Sequence, residues 1–190
     1  MNNICNKYLT DREFLIHMID HHQVAVDMSE ALMEKSKIPF MISLARNISY
    51  IQTYEIWIMK MMVDFGIPNI SIDNENFKIW DPNYKVGCYY PFLSKDDHVK
   101  CESHFFHPDK KMLEHTNNIN YLEHMIPHHQ IAVNMSRRLL LHTKNPHMQE
   151  FANEIIKNQQ TEIWIMKSTL LKLKENKECK FPIQFNSPNF

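Results

Sequence analysis

The segment from His17 to Ser29 reads HMIDHHQVAVDMS, and the segment from His124 to Ser136 reads HMIPHHQIAVNMS. His17 and His124 lie 107 positions apart, as do Trp57 and Trp164, so residues 14–60 align with 121–167 without a gap. Roughly half of the aligned pairs are identical, far more than two unrelated amphipathic segments share. Whatever one copy folds into, the other must fold into as well. An amphipathic unit also cannot bury its apolar stripe alone, so the two copies are expected to pack on each other.

Each copy reads as a helical hairpin. Thr10 and Glu13 form a capping-box pattern, and apolar residues then recur at helical spacing through Phe14, Met18, Ala25, Met28 and Leu32, which predicts a helix over about 11–36. Pro39 suits the first turn of a second helix, and Gly66 with Pro68 beyond it marks the stop. In the second copy Asn117 or Asn118 caps one helix, and Asn145 followed by Pro146 opens another that runs to about Glu175. The fold class is therefore all-α, a four-helix bundle of two homologous hairpins: repeat 1 at 11–66, repeat 2 at 117–175, one domain over 1–190. Between them a Pro-, Asn- and aromatic-rich crossover spans 67–115, expected to cross the bundle and carry short local elements. The tail 176–190 reads as extended.

The charge pattern narrows the partners. With 21 Lys and Arg against 22 Asp and Glu spread along the chain, no basic surface for nucleic acid or acidic membranes is expected. No window approaches the roughly 18 apolar residues of a membrane span, and the first residues lack a secretory pattern, so a soluble, intracellular protein is expected. Cys5, Cys88, Cys101 and Cys179 form no CxxC pair, which weakens a disulfide framework.

The unusual side chains fall on the inward stripes. At about 100° per residue, His17, His21, Val24 and Met28 share one stripe, with Met18, His22, Ala25 and Ser29 on the adjacent one. On the second helix Gln52 and Glu55 interrupt an apolar seam through Ala45, Ile48, Met59 and Met62, as Gln159 and Glu162 do in the copy beside Met166. Buried carboxylates and imidazoles need partners, so these residues are expected to meet. His17 with His21, and His124 with His128, have the i, i+4 spacing of helical metal sites. The candidate ligand set is His17, His21, His22, Met28, Glu55 and Met59, with His124, His128, His129, Met135, Glu162 and Met166. Imidazole suits copper, zinc and iron alike, and thioethers shift the preference toward copper, above all Cu(I). The competing reading is a buried His-Glu-Gln network that only specifies the bundle. Most methionines read as core packing, and Trp57 and Trp164 as hairpin anchors. In the crossover, Cys88, His98, Cys101, His104 and His107 permit a zinc site that matches no finger pattern.

Through HMIDHHQVAVDMS with QTYEIWIMK, and HMIPHHQIAVNMS with QQTEIWIMK, the chain resembles the domain-of-unknown-function family 305. The resembling residues are His21, His22, Gln52 and Glu55, then His128, His129, Gln159 and Glu162. The resemblance implies a ferritin-like bundle and a lean toward copper, in a family found in exported bacterial proteins and in large DNA viruses. Unlike ferritin di-iron sites, the inward set here is histidine-rich and has no Glu-x-x-His on the core helices. Three functions are thus set against each other: copper sequestration or carriage without turnover, an interaction bundle held by its polar network, and a dinuclear redox enzyme, which needs more carboxylates than the chain places. The reading leans away from an enzyme.

Overall fold

The computed structural model describes residues 9–68 and 110–175. These residues hold five helices and no strand: α1 (Asp11–Lys35), α2 (Pro39–Phe65), α3 (Lys110–Glu114), α4 (Asn118–Leu140) and α5 (Pro146–Lys174). The crossover is described only at its two ends, where α3 supplies a short local element. The Cys88, His98, Cys101, His104 and His107 group and the tail 176–190 lie outside the described residues.

The helix starts follow from side chains that satisfy the first N–H groups. Glu13 N donates to Thr10 Oγ1 at 3.3 Å and Thr10 N donates to Glu13 Oε2 at 2.9 Å, closing a capping box on α1. Asn117 and Asn120 build the same reciprocal arrangement on α4, at 3.1 and 2.7 Å. Pro39 and Pro146 occupy first turns, and Asn145 Oδ1 accepts from Met148 N at 3.2 Å. At the far end of α2, Gly66 turns the chain with φ 96°, a conformation that disfavours any Cβ. Pro127 sits inside α4 and has no N–H to give its ladder, yet the helix runs on through it.

α1 packs on α2 and α4 on α5, and the two hairpins meet most closely along α1 and α4. Ser36 Oγ donates to Asn118 Oδ1 at 2.7 Å, whereas Leu9 O lies 2.6 Å from His142 Nε2, so α4 descends as α1 rises. Lys35 Nζ reaches Leu113 O and ties α3 to the end of α1.

The core divides into two apolar halves. One gathers Phe14, Met18, Met59, Met135, Met148 and Ile155; the other gathers the residues 107 positions away, Tyr121, Met125, Met166, Met28, Met41 and Ile48. The halves exchange under a pseudo-twofold axis that crosses the bundle between them. Each fully buried Leu or Met contributes about 1.5–3 kcal/mol, so these halves, rather than the polar residues between them, hold the helices together.

Trp57 and Trp164 correct the expectation of packing anchors, being 56% and 61% exposed. Each lies two residues from its inward Glu, about 200° around the helix, which turns the indole away from the seam. Tyr50, Tyr54, Met61 and Phe65 are exposed as well and share that outward face of α2.

The symmetry breaks at one buried hydroxyl. Ser29 Oγ and Tyr121 OH lie 2.8 Å apart across α1 and α4. The positions related by the repeat are Ser136 and Phe14, and Phe14 has no hydroxyl; Ser136 Oγ is buried with no hydrogen-bond partner among the described residues. Tyr121→Phe leaves Ser29 in the same condition. Its expected cost is about 1–3 kcal/mol of unfolding free energy, read from urea unfolding, with helix content unchanged.

Candidate metal centre

The residues that interrupt the apolar seams come together in one layer between the two core halves. His21, His22, His128 and His129 are 0% exposed, and Gln52, Glu55, Gln159 and Glu162 are buried with them. His21 and His128, each the other's repeat counterpart, stack with ring centroids 3.7 Å apart, so the pseudo-twofold axis passes between them. His22 and His129 stand outside this pair, their centroids 6.1 and 6.0 Å from His21 and His128. Four imidazoles thus meet where one hairpin packs on the other.

Each outer imidazole is held by a carboxylate of its own hairpin. His22 Nε2 lies 2.7 Å from Glu55 Oε2, and His129 Nε2 lies 2.8 Å from Glu162 Oε2. An ionised carboxylate only accepts, so Nε2 carries the proton in both rings, and in the neutral imidazole it is Nδ1 that bears the lone pair. Those two Nδ1 atoms are buried and have no hydrogen-bond partner among the described residues, nor do Gln52 Oε1 and Nε2 or Gln159 Oε1. A histidine whose far N–H is fixed by a carboxylate while its other nitrogen points a lone pair into a dry site is the usual setting of a metal-ligating imidazole.

The central pair is neutral. Burial pushes His21 and His128 well below the ordinary value of 6.5, and the neighbouring imidazoles push in the same direction. His17 is lowered too, by partial burial, with Asp20 opposing. A neutral imidazole accepts an ion without first losing a proton, which suits this layer to metal as well as to stacking.

The structure also corrects the expected convergence. The six repeated histidines do not surround one point: His17 and His124 are half-buried at the edge of the layer, and the His124 ring sits 5.8 Å from His128. Stacking keeps the in-plane lone pairs of His21 and His128 in two separate planes inclined by 24°. Among the described residues no three His, Cys, Asp or Glu side chains are grouped so as to hold an ion as they stand. Met59 and Met135 fall in one apolar half and Met28 and Met166 in the other, on either side of the layer. One residue of the layer escapes the sequence reading: Asn158 Nδ2 donates to Glu55 Oε1 at 3.1 Å, joining α5 to α2. Its only signal is that a polar residue stands where the first copy has Ile51.

The two buried central histidines make stability depend on pH. They stay neutral in the fold but protonate in the unfolded chain near 6.5, so the unfolded state binds more protons below that value. Their contribution is complete above pH 6.5 and is lost progressively as the pH falls toward their depressed folded values. Urea unfolding followed from about pH 8 to about pH 5 should show this slope, and His21→Leu with His128→Leu should flatten it.

A profile of the family described as a domain of unknown function (DUF305) matches residues 6–63 and 110–177. Uncharacterized protein L153 of Acanthamoeba polyphaga mimivirus is 46% identical over 50 residues, 26% of this chain and 33% of that protein, so the chain matches about a third of the relative's length. Among solved structures, CopM in its Cu(II)-bound form superposes with TM-score 0.62 at 28% identity, covering 88% of this chain and 99% of CopM. CopM in its Cu(I)-bound form gives 0.61 at 30% identity, covering 87% and 98%. A DUF305 fragment from Deinococcus radiodurans shares the fold at 24% identity and TM-score 0.55, covering 85% and 95%. With the aligned copies 14–60 and 121–167 inside the matched segments and the fold shared along most of the chain, the protein belongs to the DUF305 family.

Proposed function

We propose that this protein binds a soft metal ion, copper foremost, in the histidine layer, and sequesters or carries it without turning over a substrate. The observation that carries the reading is the pair of buried Nδ1 atoms on His22 and His129, each ring oriented by its own Glu and each Nδ1 without a hydrogen-bond partner among the described residues. Buried polar atoms left without partners cost about 1–3 kcal/mol each, and a bound cation offsets that cost. Neutral His21 and His128 and the methionines on both sides supply further nitrogen and sulfur donors, the set that favours Cu(I) over harder ions. The solved CopM structures in Cu(I)-, Cu(II)- and silver-bound forms support copper-like ions as the class of cargo.

A second reading has three observations in its favour: the two His-Glu pairs, the His21–His128 stack, and the absence among the described residues of any three His, Cys, Asp or Glu side chains grouped to hold an ion. On that reading the layer specifies the bundle and holds no ion.

Titration with Ag(I), which mimics Cu(I) without redox chemistry, separates the two. Metal binding predicts a melting temperature that rises with added ion, equivalent to about 2.7 kcal/mol at a hundredfold excess over Kd. His22→Ala with His129→Ala should weaken binding by at least about tenfold, or about 1.4 kcal/mol. Protein whose melting is indifferent to Ag(I) and Cu(I) would leave the network reading in place.

A further inference from the structure

The repeat relates His22–Glu55 to His129–Glu162, but it does not make them equal. Glu55 has both oxygens engaged, Oε2 by His22 and Oε1 by Asn158 Nδ2 at 3.1 Å. Glu162 has one: Oε2 faces His129, while Oε1 is buried with no hydrogen-bond partner among the described residues. The reason lies in the sequence. The residue 107 positions before Asn158 is Ile51, which has nothing to donate. Both positions are half-buried, and the two His-to-Glu distances are alike at 2.7 and 2.8 Å. The halves therefore differ in what else the carboxylate is asked to do.

A carboxylate that accepts two hydrogen bonds shares its charge between them, and each bond draws less from it. One that accepts a single bond in a dry site pulls harder on that proton, and an imidazole whose N–H is pulled harder has a more electron-rich opposite nitrogen. Gln52 Oε1 and Gln159 Oε1 are alike, both buried with no hydrogen-bond partner among the described residues, so the difference between the halves lies in the two carboxylates. Resting on the metal reading above, we propose that the layer is two unequal half-sites: His129 in the Glu162 half takes the first equivalent of a soft cation, and positions 51 and 158 set the inequality. Ile51 and Asn158 are positioning residues that act through the carboxylates.

Imidazole NMR tests this in two stages. In metal-free protein the His129 Nε2–H resonance should lie downfield of that of His22, reflecting the stronger pull of Glu162. On stepwise addition of Ag(I), the His129 ring nitrogens should shift before those of His22, with the two steps separated by about tenfold in affinity. Ile51→Asn offers Glu162 Oε1 the donor that Glu55 already has, so the two steps should merge near the weaker one. Asn158→Ile removes that donor from Glu55 and should merge them near the tighter one. Thermal melting of each variant confirms that it folds, and because the two substitutions act in opposite halves, a variant that fails to fold leaves the other to decide. His22 shifting first, or both rings shifting together in the wild-type protein, overturns the inequality while leaving metal binding intact. No shift of either ring with Ag(I) overturns the metal reading and this proposal with it, whatever the metal-free resonances show.

Discussion

Everything else in this bundle is arranged around the stack of His21 on His128. Two aromatic faces 3.7 Å apart, contributed by α1 and α4 at equivalent places in the repeat, fix where the two hairpins cross and in which register. A shift of one helical turn along either helix would separate the rings and drive Gln52, Glu55, Gln159 and Glu162 into the methionine-rich halves on either side. Unpaired polar groups in such surroundings cost several kcal/mol in sum, so the layer excludes neighbouring registers more effectively than interchangeable apolar side chains do.

Stability and chemistry are therefore assigned to different residues. The apolar halves supply the burial free energy. The layer between them gives up some of it, because His22 Nδ1, His129 Nδ1 and Glu162 Oε1 are buried with no hydrogen-bond partner among the described residues. Such atoms are rare in folded proteins and concentrate where a ligand completes them. The carboxylates do more than neutralise: by fixing the proton on Nε2 of His22 and His129, they determine which nitrogen of each ring is available. The central pair is held toward the neutral form by burial, and under the proposed function it would add donors that need no deprotonation.

The hairpins are equivalent in backbone and unequal in detail, and the inequalities fall at the contacts between them. Tyr121 gives Ser29 a partner that Phe14 denies Ser136. Asn158 gives Glu55 a partner that Ile51 denies Glu162. Outside the core the divergence is larger: the exposed face of α2 carries Tyr50, Tyr54, Trp57, Met61 and Phe65, where α5 carries Lys157, Thr161, Trp164, Ser168 and Lys172.

The helices were legible because their determinants are local. Capping side chains, prolines in first turns, Gly66 and a period near 3.6 act within a few residues, so the boundaries of α1, α2 and α5 lie within a residue or two of those expected, and the repeat carries the assignment from one hairpin to the other. The inward position of His21, His22, Glu55 and their counterparts follows from the same periodicity. The indoles depart from that pattern: Trp57 and Trp164 sit in amphipathic runs, but their angle around the helix turns them outward. What periodicity cannot supply is which inward residues touch across the axis. That His21 stacks on His128, that Glu55 holds His22, and that Asn158 on α5 reaches a carboxylate on α2 are contacts between residues 33 to 107 positions apart. They are decided by the crossing of rigid helices, which a one-dimensional pattern does not encode. The sequence by itself determined the elements and the faces they bury; only the packing of one hairpin on the other decided the partners, because side-chain contacts depend on interhelical register and not on spacing within a helix.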